Sequence, residues 1–307
     1  MCPLNLTFSA CGFLGIYHLG AAVALHKHGN TLLSKIQNYA GASGGALVAA
    51  VLLSQPEKLE QCKEFTYGFA ADVRKHKLGA LTPGYDFMNQ LREGIETILS
   101  ADAHKKAHER LHVSITNVKT LKNCLISSFP TREDLITVLL ASSFVPFYAG
   151  IKAVEYRGET WIDGGLTNRL PILPTGRTMT VSPFSGKLDI CPEDKSQSDL
   201  YVTIAKQEFI LSIANFVRLS QALFPPGQAT MESLYHKGFS DALRFLQRRR
   251  PEMKARFQKW PNPCPAQYAI FVCELEALKL EIIKILLSEM VQERFSRILS
   301  VTAGTKG

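Results

Sequence analysis

The chain has 307 residues, of which 46% are hydrophobic and 20% charged, with a formal net charge of +8 from 35 basic and 27 acidic side chains. This composition suits one large α/β domain with a full core, or two smaller ones, and no window approaches the ~20 uninterrupted apolar residues of a spanning helix. The seven cysteines are odd in number, scattered and without C-x-x-C spacing, which argues against a disulfide framework or a zinc site and fits reduced thiols in a cytosolic-type compartment.

Leu4–Ala10 alternates apolar and polar residues and reads as a strand running into the glycine-containing loop Cys11-Gly12-Phe13-Leu14-Gly15. Ile16–His28 follows as a helix stopped by Gly29-Asn30. Ile36–Ala42 is a second strand, Ser43 a junction, and Gly44–Ser54 an apolar helix expected to be buried on most sides. Ser54-Gln55-Pro56-Glu57 opens an amphipathic helix toward Arg74, and a turn at Leu81–Gly84 precedes a helix over Asp86–Leu99. Leu111–Asn117 and Asn123–Phe129 are strand-like, and Thr131 caps a helix through Leu135–Ser142. Val154–Ile162, interrupted at Arg157-Gly158-Glu159, resembles a hairpin that delivers the chain to Asp163-Gly164-Gly165. Met179–Ser182 is one more short strand.

From Leu200 onward a mainly helical segment is expected, with Pro225-Pro226-Gly227 dividing Ile204–Leu223 from Met231–Leu246. Alternating strands and helices over the first two-thirds predict a layered α/β/α domain. The end of the chain changes character. Arg244, Arg248, Arg249, Arg250, Lys254, Arg256 and Lys259 face a single acidic residue, Glu252, and a proline cluster follows at Pro261, Pro263 and Pro265. Cys273–Ser300 then carries apolar residues at helical spacing, read as a packing helix or a lipid-surface helix. The N-terminus shows no basic segment followed by an apolar run, so no secretory signal is expected and membrane contact would be peripheral. The basic excess suits an anionic surface such as lipid headgroups, and equally an ordinary basic soluble protein.

Gly41-Ala42-Ser43-Gly44-Gly45 contains G-x-S-x-G, which places a serine on a sharp strand-to-helix turn with its hydroxyl exposed. Acyl transfer also needs a base and a site for the oxyanion. Backbone N–H groups of Gly12 and Phe13 are candidates for that site, with Gly12 letting the substrate carbonyl approach. Removing one such donor typically costs ~3–4 kcal/mol of transition-state stabilisation. A histidine base in the order Ser…Asp…His would have to be His236, the one histidine of eight that follows Asp163, and its sequence context is that of a helix end. Asp163, after a strand and before two glycines, can reach another loop. Partial desolvation would raise it from the ordinary ~3.9 toward a useful basicity.

These three segments resemble the signatures of the patatin-like phospholipases, and the match continues through Ala141–Pro146 and Gly165–Pro171, covering roughly residues 4–247. The resemblance implies a three-layer α/β/α fold around a mostly parallel sheet, with a core over about 4–183 and a helical C-terminal extension. It implies a Ser43–Asp163 dyad, an oxyanion loop Cys11–Gly15, and no cofactor, metal or nucleic acid. It implies hydrolysis of triacylglycerol and retinyl esters, acylglycerol transacylation and some phospholipase activity. Intracellular work at a lipid droplet or membrane surface follows from it, and a mitochondrial location is compatible with it. Phe144, Val145, Phe147 and Tyr148 are the candidates for the acyl site. The chain departs from the common pattern of the family in having Ala10 before Cys11 and an apolar Leu14 where Arg or Lys is frequent. Residues 248–307, read as a basic, proline-rich linker and amphipathic tail, carry no assigned function. Two other readings stay open: a histidine-dependent hydrolase and a non-catalytic lipid-droplet binding protein.

Overall fold

The computed structural model describes residues 3–194 and 201–249, all within the first of two units, Met1–Phe257 and Gln258–Gly307. The linker and tail expected over 248–307 therefore lie almost wholly outside the described residues.

The central sheet begins with β1 (Leu4–Phe8), whose residues Leu6 and Phe8 are fully buried. A single 3-10 turn, Gly12–Leu14, leads into α1 (Gly15–His28), and one helical turn, α2 (Asn30–Leu33), precedes β2 (Ile36–Ala42). Ser43 alone separates β2 from α3 (Gly44–Ser54), an apolar helix that packs on β2 and β1. Pro56 opens a 3-10 turn before α4 (Leu59–Lys75); its preset φ suits a first turn, where its missing N–H leaves no bond unmade. Asp86 caps α5 (Phe87–Ile98) by accepting the Asn89 amide. A short α6 (Ala103–Ala107), not anticipated from the sequence, comes before β3 (Leu111–Asn117) and β4 (Asn123–Ile126). Thr131 and Asp134 form a reciprocal capping box on α7 (Arg132–Ser143). The expected hairpin is β5 (Val154–Tyr156) and β6 (Glu159–Asp163), and β7 (Arg177–Val181) completes the sheet.

Strand order is β5-β6-β3-β2-β1-β7, with β4 also paired to β3. β7, β1, β2 and β3 are mutually parallel, β4 and β6 pair antiparallel with β3, and β5 pairs antiparallel with β6. The mostly parallel sheet with helices packed against it is the expected α/β architecture. In such sheets, binding sites form where parallel strands end and hand over to helices. β1 and β2 do so at Phe8 and Ala42, and Ser43 stands at that edge.

One expectation fails. The stretch from Leu200 does not begin as helix: β8 (Tyr201–Ile204) and β9 (Gln207–Ile210) form a separate hairpin, and helix α8 is confined to Ile213–Leu223. The hairpin turns at Ala205 and Lys206, both at positive φ (45° and 66°), the geometry of a tight two-residue connection normally signalled by Asn or Gly. Neither signal is present here. The final helix, α9 (Gln228–Arg249), lies along α1, with Gly20 and Gly238 at the contact and Tyr17 donating a hydrogen bond to Asp241 at 2.8 Å. Arg244 and Arg248, the first of the basic run, pair with Glu193 in this unit.

Candidate active site

β3 sets the relative position of serine and aspartate. Ala42 pairs with Ser114 and Asp163 with Ile115, so the residue before Ser43 and the aspartate itself are registered against consecutive positions of β3. The chain must reverse at once from β2 into α3, and Ser43 absorbs the reversal at φ 54°, ψ −134°, a conformation that L-residues adopt only under constraint. Several contacts hold it there. The Ser43 amide donates to Ser142 Oγ at 2.9 Å, and that hydroxyl donates to the Ser114 carbonyl at 2.7 Å. At Gly45 the helix start comes against β1 so closely that a Cβ would fall 2.4 Å from the Phe8 carbonyl oxygen. Ser142 had no role in the sequence reading; a buried hydroxyl inside an apolar helix is a faint signal for such a brace.

Asp163 is fixed from three directions. Its amide donates to the Phe144 carbonyl at 2.8 Å, its carbonyl accepts from Thr116 Oγ1 at 2.9 Å, and its Oδ1 accepts the Gly165 amide at 2.6 Å. The Ser43 side chain faces this carboxylate and favours its ionised form. Burial pushes the Asp163 carboxyl up to about 6, against the opposing pull of Ser43, the Gly165 amide and the Arg169 charge. Serine and aspartate are 7% and 4% exposed.

The loop Cys11–Gly15 sits over the start of α3. Gly12 (φ +52°) cannot carry a side chain for a reason different from the one expected: a Cβ would lie 2.1 Å from the carbonyl oxygen of Ala222, near the end of α8. The loop is thus pinned by close backbone packing, whatever passes on its other side. The Phe13 ring anchors it, 5.4 Å from Phe69, which stacks on Phe87 at 4.8 Å. Leu14 is fully buried in a cluster with Cys11, Phe184, Phe209 and Ala222.

Gly12, Phe13, Ser43 and Gly44 line a cavity of about 150 Å³. Its walls are Leu47, Val48 and Val51 of α3, Phe65 and Phe69 of α4, and Leu91, Ile95 and Ile98 of α5, so nearly all are apolar. Of the four residues expected to form an acyl site, Val145 and Tyr148 line this cavity and Phe144 and Phe147 do not. Phe144 turns into the core, 2% exposed, while Phe147 sits at φ 67° and is 45% exposed. The α4 and α5 walls were missed because their apolar faces read as ordinary core packing.

Among the described residues no histidine lines the cavity. His236 lies exposed on α9 with its ring against Tyr235. His18 is buried with Nε2 3.0 Å from the Ser9 carbonyl oxygen, and burial pulls it down to about 4. Among the described residues there is no cluster of metal ligands, Cys11, Cys62, Cys124 and Cys191 are free thiols, and no helix is long and apolar enough to cross a membrane.

The patatin-like phospholipase family model matches residues 6–175. Human patatin-like phospholipase domain-containing protein 4 is 64% identical over 243 residues, 79% of this chain and 96% of that protein. Mouse patatin-like phospholipase domain-containing protein 2 is 36% identical over 244 residues, and mouse omega-hydroxyceramide transacylase 35% over 246. The matched region is 50% of the former's length and 41% of the latter's. The chain belongs to the patatin-like phospholipase family, a family of lipid ester hydrolysis and acyl transfer.

Proposed function

We propose that this chain is a lipid acyl hydrolase that works through a Ser43–Asp163 dyad. The observation that carries the reading is the strained serine, in the wall of an apolar cavity, facing a buried carboxylate. Ser43 Oγ attacks the ester carbonyl as its proton passes to Asp163, and the Gly12 and Phe13 amides hold the oxyanion. The carbon–oxygen bond to the alcohol then breaks, and the alcohol leaves with the proton from Asp163. Water, or the hydroxyl of an acylglycerol, gives its proton to Asp163 and attacks the acyl-serine. The bond to Ser43 breaks and the proton returns to its oxygen. A carboxyl near 6 suits both halves at neutral pH, being ionised before attack yet basic enough to take a proton.

The apolar walls favour a fatty acyl group, with triacylglycerol, retinyl ester and phospholipid as the substrate set and the two acceptors giving hydrolysis or transacylation. Phe147 and Ile151, 45% and 91% exposed, flank Tyr148 on the loop after α7. Apolar groups so close to the cavity wall support work at a lipid droplet or membrane surface inside the cell, in the cytoplasm or at a mitochondrion.

The test compares Ser43→Ala, Asp163→Asn and His236→Asn on emulsified triacylglycerol, retinyl ester and phosphatidylcholine. The first two should lose turnover and the third keep it. A loss in His236→Asn as large as that in Ser43→Ala overturns the dyad. No turnover in the parent, with droplet binding unchanged in Ser43→Ala, points to a binding protein instead.

A further inference from the structure

Arg169 is a charged side chain that the chemistry above leaves unused. It lies six residues beyond Asp163 on a segment fixed to the core by the Asn168 amide, which donates to the Gly164 carbonyl at 2.8 Å, and by Ser114 Oγ, which donates to the Asn168 carbonyl at 3.0 Å. Its guanidinium donates to the Ala10 carbonyl at 3.1 Å, while the Ala10 amide donates back to the Arg169 carbonyl at 2.8 Å. Both polar groups of the residue at the root of the Gly12 loop are therefore held by one arginine. The guanidinium lies over Phe184 and Phe209, 5.4 Å from each ring centre, and those rings belong to the cluster that buries Cys11 and Leu14.

Such a position is costly for a cation. Nε is buried without a hydrogen-bond partner, and among the described residues no carboxylate lies within ion-pair distance of the guanidinium. The charged or titratable groups that face it are Asp163 and Cys11; those that face Asp163 are Ser43, the Gly165 amide, Arg169 and the Cys11 thiol. A guanidinium does not deprotonate in a protein, so its charge is permanent. Free of a direct carboxylate partner, that charge acts across the site.

We propose that Arg169 is a positioning residue for this site, clamping the root of the Gly12 loop and holding one fixed positive charge between that loop and Asp163. The proposal rests on the Ser43–Asp163 reading. When Ser43 attacks, its proton neutralises Asp163 and the negative charge reappears on the substrate oxygen beside Gly12. The charge moves from Asp163 to the loop whose root Arg169 holds, and so stays in its field. The cation thus keeps Asp163 ionised at rest and stabilises the oxyanion that replaces it.

The experiment follows kcat and KM against pH on a soluble short-chain nitrophenyl ester. Arg169→Gln keeps a donor for Ala10 but removes the charge. Its acid limb should move up by about half to one pH unit, because the carboxylate loses a favourable neighbour. Its kcat should fall about tenfold with KM within about twofold, as expected when the loss falls on the transition state rather than on binding. Arg169→Lys restores the charge without the planar fork, so the limb should return to its parent position while kcat stays below the parent value. If Arg169→Gln does not fold, Arg169→Lys decides: a limb at the parent pH with reduced kcat supports the proposal, and a displaced limb overturns it. An unmoved limb in folded Arg169→Gln also overturns it and makes Arg169 a packing residue. A parent without Ser43-dependent turnover is a different result, since it removes the hydrolase reading on which the proposal stands.

Discussion

At the polar end, Ser43 in the cavity wall and Asp163 behind it are fixed by backbone geometry and hydrogen bonds: a φ of 54° at the serine, the Ser142 brace on its amide, and three polar contacts on the aspartate. At the apolar end, α4 and α5 present Phe65, Leu91, Ile95 and Ile98, held by packing, with few polar atoms in reach. The first end tolerates almost no change because each contact has one geometry. The second is fixed by volume and tolerates apolar exchange. Chemistry and substrate choice therefore reside in separable parts of one cavity, and mutations should divide the same way.

The largest effect is expected at the polar end. Asp163→Asn should reduce kcat by about 10²–10⁴-fold, the usual contribution of a general base. The same change should stabilise the protein. The folded carboxyl titrates at about 6, above its unfolded value, so the folded state binds the proton more tightly and stability falls as pH rises through that window. Above it, a buried ionised carboxylate opposes folding by roughly 1–3 kcal/mol. Thermal melts of Asp163→Asn should exceed those of the parent at pH 7.5, and the difference should vanish near pH 4. An equal difference at both pH values breaks the assignment of a raised carboxyl.

Gly12→Ala comes next. The added Cβ would meet the Ala222 carbonyl oxygen at a φ unsuited to alanine, so loop or α8 must move. We expect a stability loss of about 1–3 kcal/mol by urea unfolding. A fall in kcat of about 10²-fold should accompany it as the oxyanion donors shift. Near-parent kcat in this variant would remove the loop from the chemistry. At the apolar end, Leu91→Trp should leave short esters nearly untouched and reduce kcat/KM for long-chain esters by about tenfold, through lost volume. An equal loss on short and long esters contradicts the separation of the two ends.

That division also explains what could be read in the residues. β2 and α3 have the bounds expected from Ile36–Ala42 and Gly44–Ser54, because a glycine-flanked serine between two apolar runs permits few other geometries. Asp163 was recognisable for the same reason, standing between a strand and two glycines. The acyl wall was not. In Phe144-Val145-Pro146-Phe147-Tyr148 every residue is apolar, and the positive φ at Phe147 helps decide which side chains face the cavity. The β8–β9 hairpin escaped notice because Ala205 and Lys206 adopt a turn usually written with glycine or asparagine. Arg169 carried no local signal, since its partners Ala10, Phe184 and Phe209 meet it only in the folded chain.

The central claim is that Ser43 is a nucleophile activated by Asp163 without a histidine. Its most direct test is the rate at which a fluorophosphonate probe labels the protein as a function of pH, with the modified residue located by mass spectrometry. The account predicts modification at Ser43, a half-maximal rate near pH 6, near-complete loss in Asp163→Asn and an unchanged rate in His236→Asn. Label on another residue, or a loss in His236→Asn matching that in Asp163→Asn, would contradict it.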